Sequence, residues 1–213
     1  MEVRTVDDVS GAAAEFFAGR IRAGTADGRD FSMALSGGRT PWTVFRELAR
    51  AELAWERVHI FQVDERVAPR GHDDRNLTHL QKALTSHVAT NLHAMPVDDD
   101  DLWAGAHRYE VELPHVLDLV HLGLGSDGHT ASLAPLDPVL DEHNCAVSLT
   151  DAYLGRVRMT LTYSTLDSAA EIVWIVAGEH KRNMLQRLLA RDHEIPAGRV
   201  NPDRAVVITD IAL

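Results

Sequence analysis

The chain has 213 residues, 45% of them apolar and 25% charged, with a formal net charge of −11. Such values suit one soluble globular domain with a substantial core, and the negative balance argues against a nucleic-acid partner, whose phosphates need clustered cations. No apolar run approaches the ~18 residues of a membrane helix. The N-terminal "MEVRTVDDVSG" lacks the basic and apolar regions of a secretory signal. Cys145 is the only cysteine, so no internal disulfide forms and a cytoplasmic location is expected.

A helical pattern over 7–23 leads into the apolar run "FSMALSG" (31–37), and a second helical pattern (41–54) into "VHIFQVDE" (58–65). Helical patterns over 74–89 and 100–113 precede "LDLVHLGLG" (117–125). An extended run follows from 156, "RVRMTLTYSTLDSA", then "EIVWIVAG" (171–178), a helix over 180–191 and "RAVVITDI" (204–211). Continuous apolar runs read as strands covered on both faces. In the last helix Met184, Leu185, Leu188 and Leu189 share one face. The alternation predicts an α/β fold over residues 1–213: a single domain with a mostly parallel sheet flanked by helices on both faces, Rossmann-like and doubly wound. The acidic run "VDDDDLW" (97–103) lacks the spacing of a calcium loop and reads as a solvated helix N-terminus.

In such sheets ligands bind beyond the carboxyl ends of the strands. After the first predicted strand comes "SGGRTP" (36–41), where Thr40 suits a helix N-cap and Pro41 the first helical position. Free amides there favour a phosphate, though the segment alone reads equally as an ordinary tight turn, and it is not a Walker A loop. After the second strand, "DERVAPRGHDDRN" (64–76) opens with three adjacent charges, at least one of which is expected to enter the cleft rather than join a surface ion-pair cluster.

After the third strand, Gly123, Gly125 and Gly128 form a literal G-x-G-x-x-G. A dinucleotide site needs a long helix next, but Pro135 and Pro138 limit any helix from His129 to about one turn. The glycines therefore read as a decoy, leaving Asp127 and His129 at the tip of a central strand. Histidine is the natural general base near neutral pH, and this setting lifts His129 above the other eleven of the twelve histidines. "GEHK" (178–181) places Lys181 at a helix start, which the dipole disfavours unless an anion compensates; a solvent-facing lysine is the plainer alternative. No H-E-x-x-H, paired C-x-x-C or G-x-S-x-G is present, so neither a metal site nor a protein nucleophile is expected.

In order, "LSGGRTP" (35–41), "VDERVAP" (63–69) with Asn76, "LGLGSDGHTASL" (122–133), "RMTLT" (158–162) and "GEHK" (178–181) resemble the signature blocks of the 6-phosphogluconolactonase family, over about residues 31–192. Glucosamine-6-phosphate deaminases share the first and third block types but typically carry a glutamate where Ala134 stands here. Ala134 also replaces a usual Phe, "VAP" a commoner V-P, and Arg75 a frequent serine. None of these removes a charged residue of the expected site.

The resemblance implies hydrolysis of 6-phospho-D-glucono-1,5-lactone to 6-phospho-D-gluconate in the oxidative pentose phosphate pathway, with no cofactor. His129 would activate water, and Asp127 would orient the imidazole or bind a sugar hydroxyl. Arg66 would stabilise oxyanion or phosphate charge. Gly37, Gly38, Arg39 and Thr40, with Arg158 and Lys181, would hold the 6-phosphate. The division of labour among Arg66, Arg156 and Arg158 stays open, as does oligomeric state. An amino-sugar-phosphate deaminase or isomerase, or a non-catalytic sugar-phosphate sensor, are the alternatives.

Overall fold

The computed structural model describes residues 1–213. The elements run β1 (Glu2–Thr5), α1 (Val9–Thr25), β2 (Phe31–Leu35), α2 (Arg39–Leu48), β3 (Val58–Gln62), β4 (Asp64–Arg66), α3 (Asn76–Leu80), β5 (Asn91–His93), α4 (Leu102–Glu112) and β6 (Leu119–Leu122). They continue with β7 (Val147–Leu149), β8 (Arg158–Leu161), α5 (Tyr163–Ser168), β9 (Ile172–Val176), α6 (Arg182–Leu189) and β10 (Ala205–Thr209). Seven strands form one sheet in the order β1-β10-β9-β6-β2-β3-β5, and every neighbouring pair is parallel. The doubly wound α/β reading is therefore correct.

Alternation along each strand feeds two cores. Val173 and Ile175 of β9, with Val206 and Ile208 of β10, pack toward Phe17 and Ile21 of α1 and Phe45 and Leu48 of α2. Trp174 and Val207 face the other way, toward Tyr109 of α4, Leu166 of α5 and Leu185 of α6. Burial of each such aliphatic side chain contributes about 1.5–3 kcal/mol, and a one-residue slip of any strand would exchange the two sets. No helix is long and apolar enough to cross a membrane.

Several boundaries differ from expectation, each for a physical reason. The run 58–65 is two strands. At Val63 the chain leaves the large sheet: its N–H still donates to Leu35 O (3.1 Å), while its carbonyl accepts from Leu161 N (2.8 Å) of a second, antiparallel sheet, β4-β8-β7. Helix α2 starts at Arg39 with Gly38 as N-cap, so Thr40 and Pro41 lie inside its first turn, where proline costs no hydrogen bond. The pattern 74–89 becomes α3 followed by one wide turn, Gln81–Thr85. The buried carboxylate of Glu65 accepts from Asn76 N (2.7 Å) and Leu77 N (2.8 Å), which fixes where α3 begins. No helix opens at His129 at all. Asp101 caps α4 by accepting from Trp103 N and Ala104 N, whereas Asp98 pairs with Arg70 and Arg75.

From β2 the chain builds outward to β3 and β5, and from β6 it builds the other way to β9 and β10. The order thus reverses between β2 and β6, which is where open α/β sheets place ligands. The two segments leaving that point are Ser36–Thr40 and Gly123–His129.

Candidate active site

Gly125, just beyond β6, gives the site its shape. A Cβ there would sit 2.0 Å from His129 Nδ1 and 2.6 Å from Asp127 Oδ1. Only glycine lets the Asp127-Gly128-His129 turn fold back over the strand end. So folded, Asp127 Oδ1 lies 2.6 Å from His129 Nδ1 and also accepts from the His129 backbone N–H at 3.2 Å. Asp127 Oδ2 accepts from the hydroxyl of Tyr153 at 2.7 Å. Burial opposes ionisation of Asp127, but the Tyr153 hydroxyl and the bonds and charge from His129 outweigh it and hold the carboxyl down at about 2. With Nδ1 engaged by a carboxylate, the Nε2 edge of His129 is the one left for chemistry.

The neighbouring wall comes from the second sheet. Arg66 of β4 pairs directly with Arg158 of β8 across the ladder. Opposed cross-strand residues share a face, and like charges there are destabilising. Both line a cleft of about 370 Å³ together with Gly38, Arg39, Trp42 and Arg156. Arg158 is almost fully buried and its Nε has no partner. Burial, reinforced by the charge of Arg66, lowers its pKa. Arg156 is neutralised by Asp74, with Nε and Nη2 donating to the same carboxylate oxygen at 3.0 and 2.7 Å. Three guanidiniums without a carboxylate partner, those of Arg39, Arg66 and Arg158, line this cleft and suit it to an anion.

Arg66 is aimed by a buried network. Its Nη1 donates to Asn76 Oδ1, and Asn76 Nδ2 donates to the backbone carbonyl (2.9 Å) and Oδ1 (3.1 Å) of Asp64. Asp64 Oδ2 accepts from Ser132 Oγ at 2.6 Å. Glu65 is wholly buried and accepts from Arg66 N, Asn76 N, Leu77 N and Gln62 Nε2 while pairing with Arg75. Of the three adjacent charges at the strand end, then, Arg66 enters the cleft and the two acids are structural. Arg75 is buried between Glu65 and Asp98. On the opposite side Gly37 abuts this network: a Cβ there would lie 1.9 Å from Asn76 Oδ1.

Gly38, Arg39, Arg66 and Arg158 line the cleft itself, with Gly37 and Thr40 in the loop and first turn behind it. Helix α2 has no side-chain cap, so its first amides are open to an anion. Asp127 and His129 flank the cleft through Tyr153, over whose ring the Arg158 guanidinium sits at 4.9 Å. Lys181 precedes α6 and turns inward, its Nζ donating to Leu124 O at 2.7 Å. Burial lowers its pKa; the carboxylate of Asp127 works against that and the charge of Arg39 with it. The other histidines include structural ones: His121 is fully buried, accepts from Ser36 N at 3.2 Å, and is pushed down to about 3 by burial.

Sequence reasoning missed Tyr153 and the organising role of Glu65. The only local cue to the first is the Leu154-Gly155 pair of a tight hairpin; nothing local marks the second. A larger hollow of about 510 Å³ lies at the opposite ends of the strands, but there Arg20 pairs with Glu171 and Arg29 with Asp118. Two of its cations are thereby neutralised.

The sequence profile of the family described as "Glucosamine-6-phosphate isomerases/6-phosphogluconolactonase" matches residues 4–209. The chain belongs to this family. It is 33% identical to a 6-phosphogluconolactonase of a Synechocystis species, over 88% of this chain and 85% of that one. It is 34% identical to a 6-phosphogluconolactonase of a Nostoc species, over 75% and 72%. Its fold is similar to the crystal structure of 6-phosphogluconolactonase from Thermotoga maritima, with a TM-score of 0.90, 26% identity and 98% of each chain covered. Membership in the family matches the resemblance read from the ordered sequence blocks. Ala134 is buried at 2% exposure.

Proposed function

We propose that the chain, as one domain over residues 1–213, hydrolyses 6-phospho-D-glucono-1,5-lactone to 6-phospho-D-gluconate in the oxidative pentose phosphate pathway. The observation that carries this reading is a carboxylate-bound histidine beside an opposed arginine pair, at the switch point of the sheet.

Asp127 holds His129 with Nδ1–H donating, so Nε2 takes a proton from water as the water oxygen bonds to the lactone carbonyl carbon. The tetrahedral oxyanion is stabilised by Arg66, whose direction is set by Asn76. Collapse re-forms the carbonyl and breaks the bond to the ring oxygen. The imidazolium of His129 returns its proton to that leaving oxygen, which becomes a hydroxyl of the open-chain acid. The amides of Gly37, Gly38, Arg39 and Thr40, together with Arg158 and Lys181, hold the 6-phosphate. Arg156, spent on Asp74, takes no direct part. The chemistry calls for neither a metal nor an organic cofactor. A lone cysteine suits a reducing, cytoplasmic setting.

The test is hydrolysis of lactone generated in situ, with the spontaneous rate subtracted, beside ammonia release from glucosamine 6-phosphate. Accelerated lactone opening without ammonia supports the reading. Ammonia release without acceleration overturns it in favour of amino-sugar chemistry, and binding of 6-phosphogluconate with neither activity in favour of a sensor.

A further inference from the structure

Between β7 and β8 the chain makes a two-residue hairpin. Tyr153 N donates to Arg156 O at 2.9 Å and Arg156 N to Tyr153 O at 3.3 Å. The two residues at its tip, Leu154 and Gly155, take φ of 50° and 79°, the signature of a type I′ turn. Leu154 is 79% exposed at the mouth of the cleft. The two ends of this hairpin grip opposite sides of the site. Tyr153 donates to Asp127 Oδ2 at 2.7 Å and lies 3.3 Å from His129 Nδ1. Arg156 binds Asp74, whose backbone carbonyl is 3.5 Å from Arg66 Nη1.

Resting on the hydrolytic reading above, we infer that Tyr153 is a positioning residue for the reaction, locking Asp127 and through it the orientation of His129, and that the Arg156–Asp74 pair holds the hairpin in the locking position. Both His129 donors meet Asp127 Oδ1, and the Tyr153 hydroxyl alone holds Oδ2, so with it the carboxylate is fixed at both oxygens. The phenol keeps its proton for this task, because burial and the adjacent Asp127 push it up to about 12. It therefore acts as a donor to the carboxylate and not as a proton shuttle.

The groups facing Asp127 and His129 are Tyr153 from the hairpin, Lys181 from the start of α6, and Arg158 of β8 behind the Tyr153 ring. Of these, Tyr153 alone donates a hydrogen bond to Asp127 through its side chain.

Tyr153→Phe keeps the ring against Arg158 and His129 and removes only the hydroxyl. The expected result is a fall in kcat of roughly 10-fold or more, the rate equivalent of one hydrogen bond to a charged group, with KM within about 2-fold. In the protein labelled with ¹⁵N at histidine, the Nδ1–H resonance of His129 should be sharp in wild type and broadened in Tyr153→Phe. This resonance reads the lock without reference to turnover. Arg156→Gln should reproduce the broadening more weakly. An unchanged resonance together with unchanged kcat overturns the inference, and so does a rise in KM alone. If wild type itself fails to accelerate lactone opening, the hydrolytic reading falls, while the resonance still decides whether Tyr153 holds the pair.

Discussion

His129 Nδ1 and Asp127 Oδ1 are 2.6 Å apart across a single intervening glycine. The contact is local in sequence, yet it exists only because Gly125 leaves room for both side chains. It fixes which imidazole nitrogen carries the proton. Asp127→Asn preserves shape but can present an N–H to Nδ1 and favour the wrong tautomer. We expect kcat to fall roughly 10²- to 10⁴-fold with little change in KM, by analogy with the loss of the carboxylate that orients a catalytic histidine. A rise in KM with kcat intact would instead assign Asp127 to a sugar hydroxyl.

The same carboxylate leaves a mark on stability. Its folded pKa of about 2 lies below the ordinary aspartate value of about 3.9. Its stabilising contribution is therefore complete above about pH 4 and is lost as pH falls toward about 2. The urea midpoint of wild type should lose ground to that of Asp127→Asn as pH falls from about 4 toward about 2. A gap that widens as pH falls would contradict the sign.

Glu65 tests the scaffold. It is wholly buried, satisfies three backbone amides and faces Arg75. Removing one partner of a buried charge pair costs about 3–5 kcal/mol. Glu65→Gln should lower unfolding free energy by about that amount in urea titrations, and activity should fall with it because Asn76 and Arg66 lose their anchor. A loss below ~1 kcal/mol, the scale of an ordinary surface pair, would show that the network is not holding the site.

Arg158 faces Arg66 across the ladder with no protein carboxylate bonded to it, and the proposed function has it hold the 6-phosphate. On that proposal Arg158→Met should raise KM by about 10-fold or more, the loss of one charge-assisted contact. The urea midpoint of the unliganded variant should be unchanged or higher, because the like-charge opposition is relieved. A lower midpoint with unaltered KM would make Arg158 a structural residue.

Much of this was legible in the residues alone. The strands of the large sheet announce themselves because burial on both faces leaves continuous apolar runs, as in "EIVWIVAG". Asp127 and His129 stood out because strand-end loops carry the chemistry in open α/β folds. The edge strands β1 and β5 were missed, since short, half-exposed edges carry little apolar signal. So was the second sheet, whose β4 continues β3 with only Val63 between them. Tyr153 reaches His129 across 24 residues, and Glu65 caps a helix eleven residues away. Such contacts are products of tertiary folding and leave no periodicity to read. The helix start at Arg39, two residues before Pro41, belongs with these: it depends on the backbone of Gly38 rather than on a capping side chain.

The most direct measurement compares wild type with His129→Ala in lactone hydrolysis, using substrate generated in situ and subtracting spontaneous opening. Wild type should exceed the spontaneous rate, and the variant should fall roughly 10²- to 10⁴-fold, the contribution of a positioned general base. KM should stay within a few fold, because the arginines and α2 amides proposed to hold the phosphate are untouched. A variant that keeps wild-type kcat would contradict the assignment of His129 as the base.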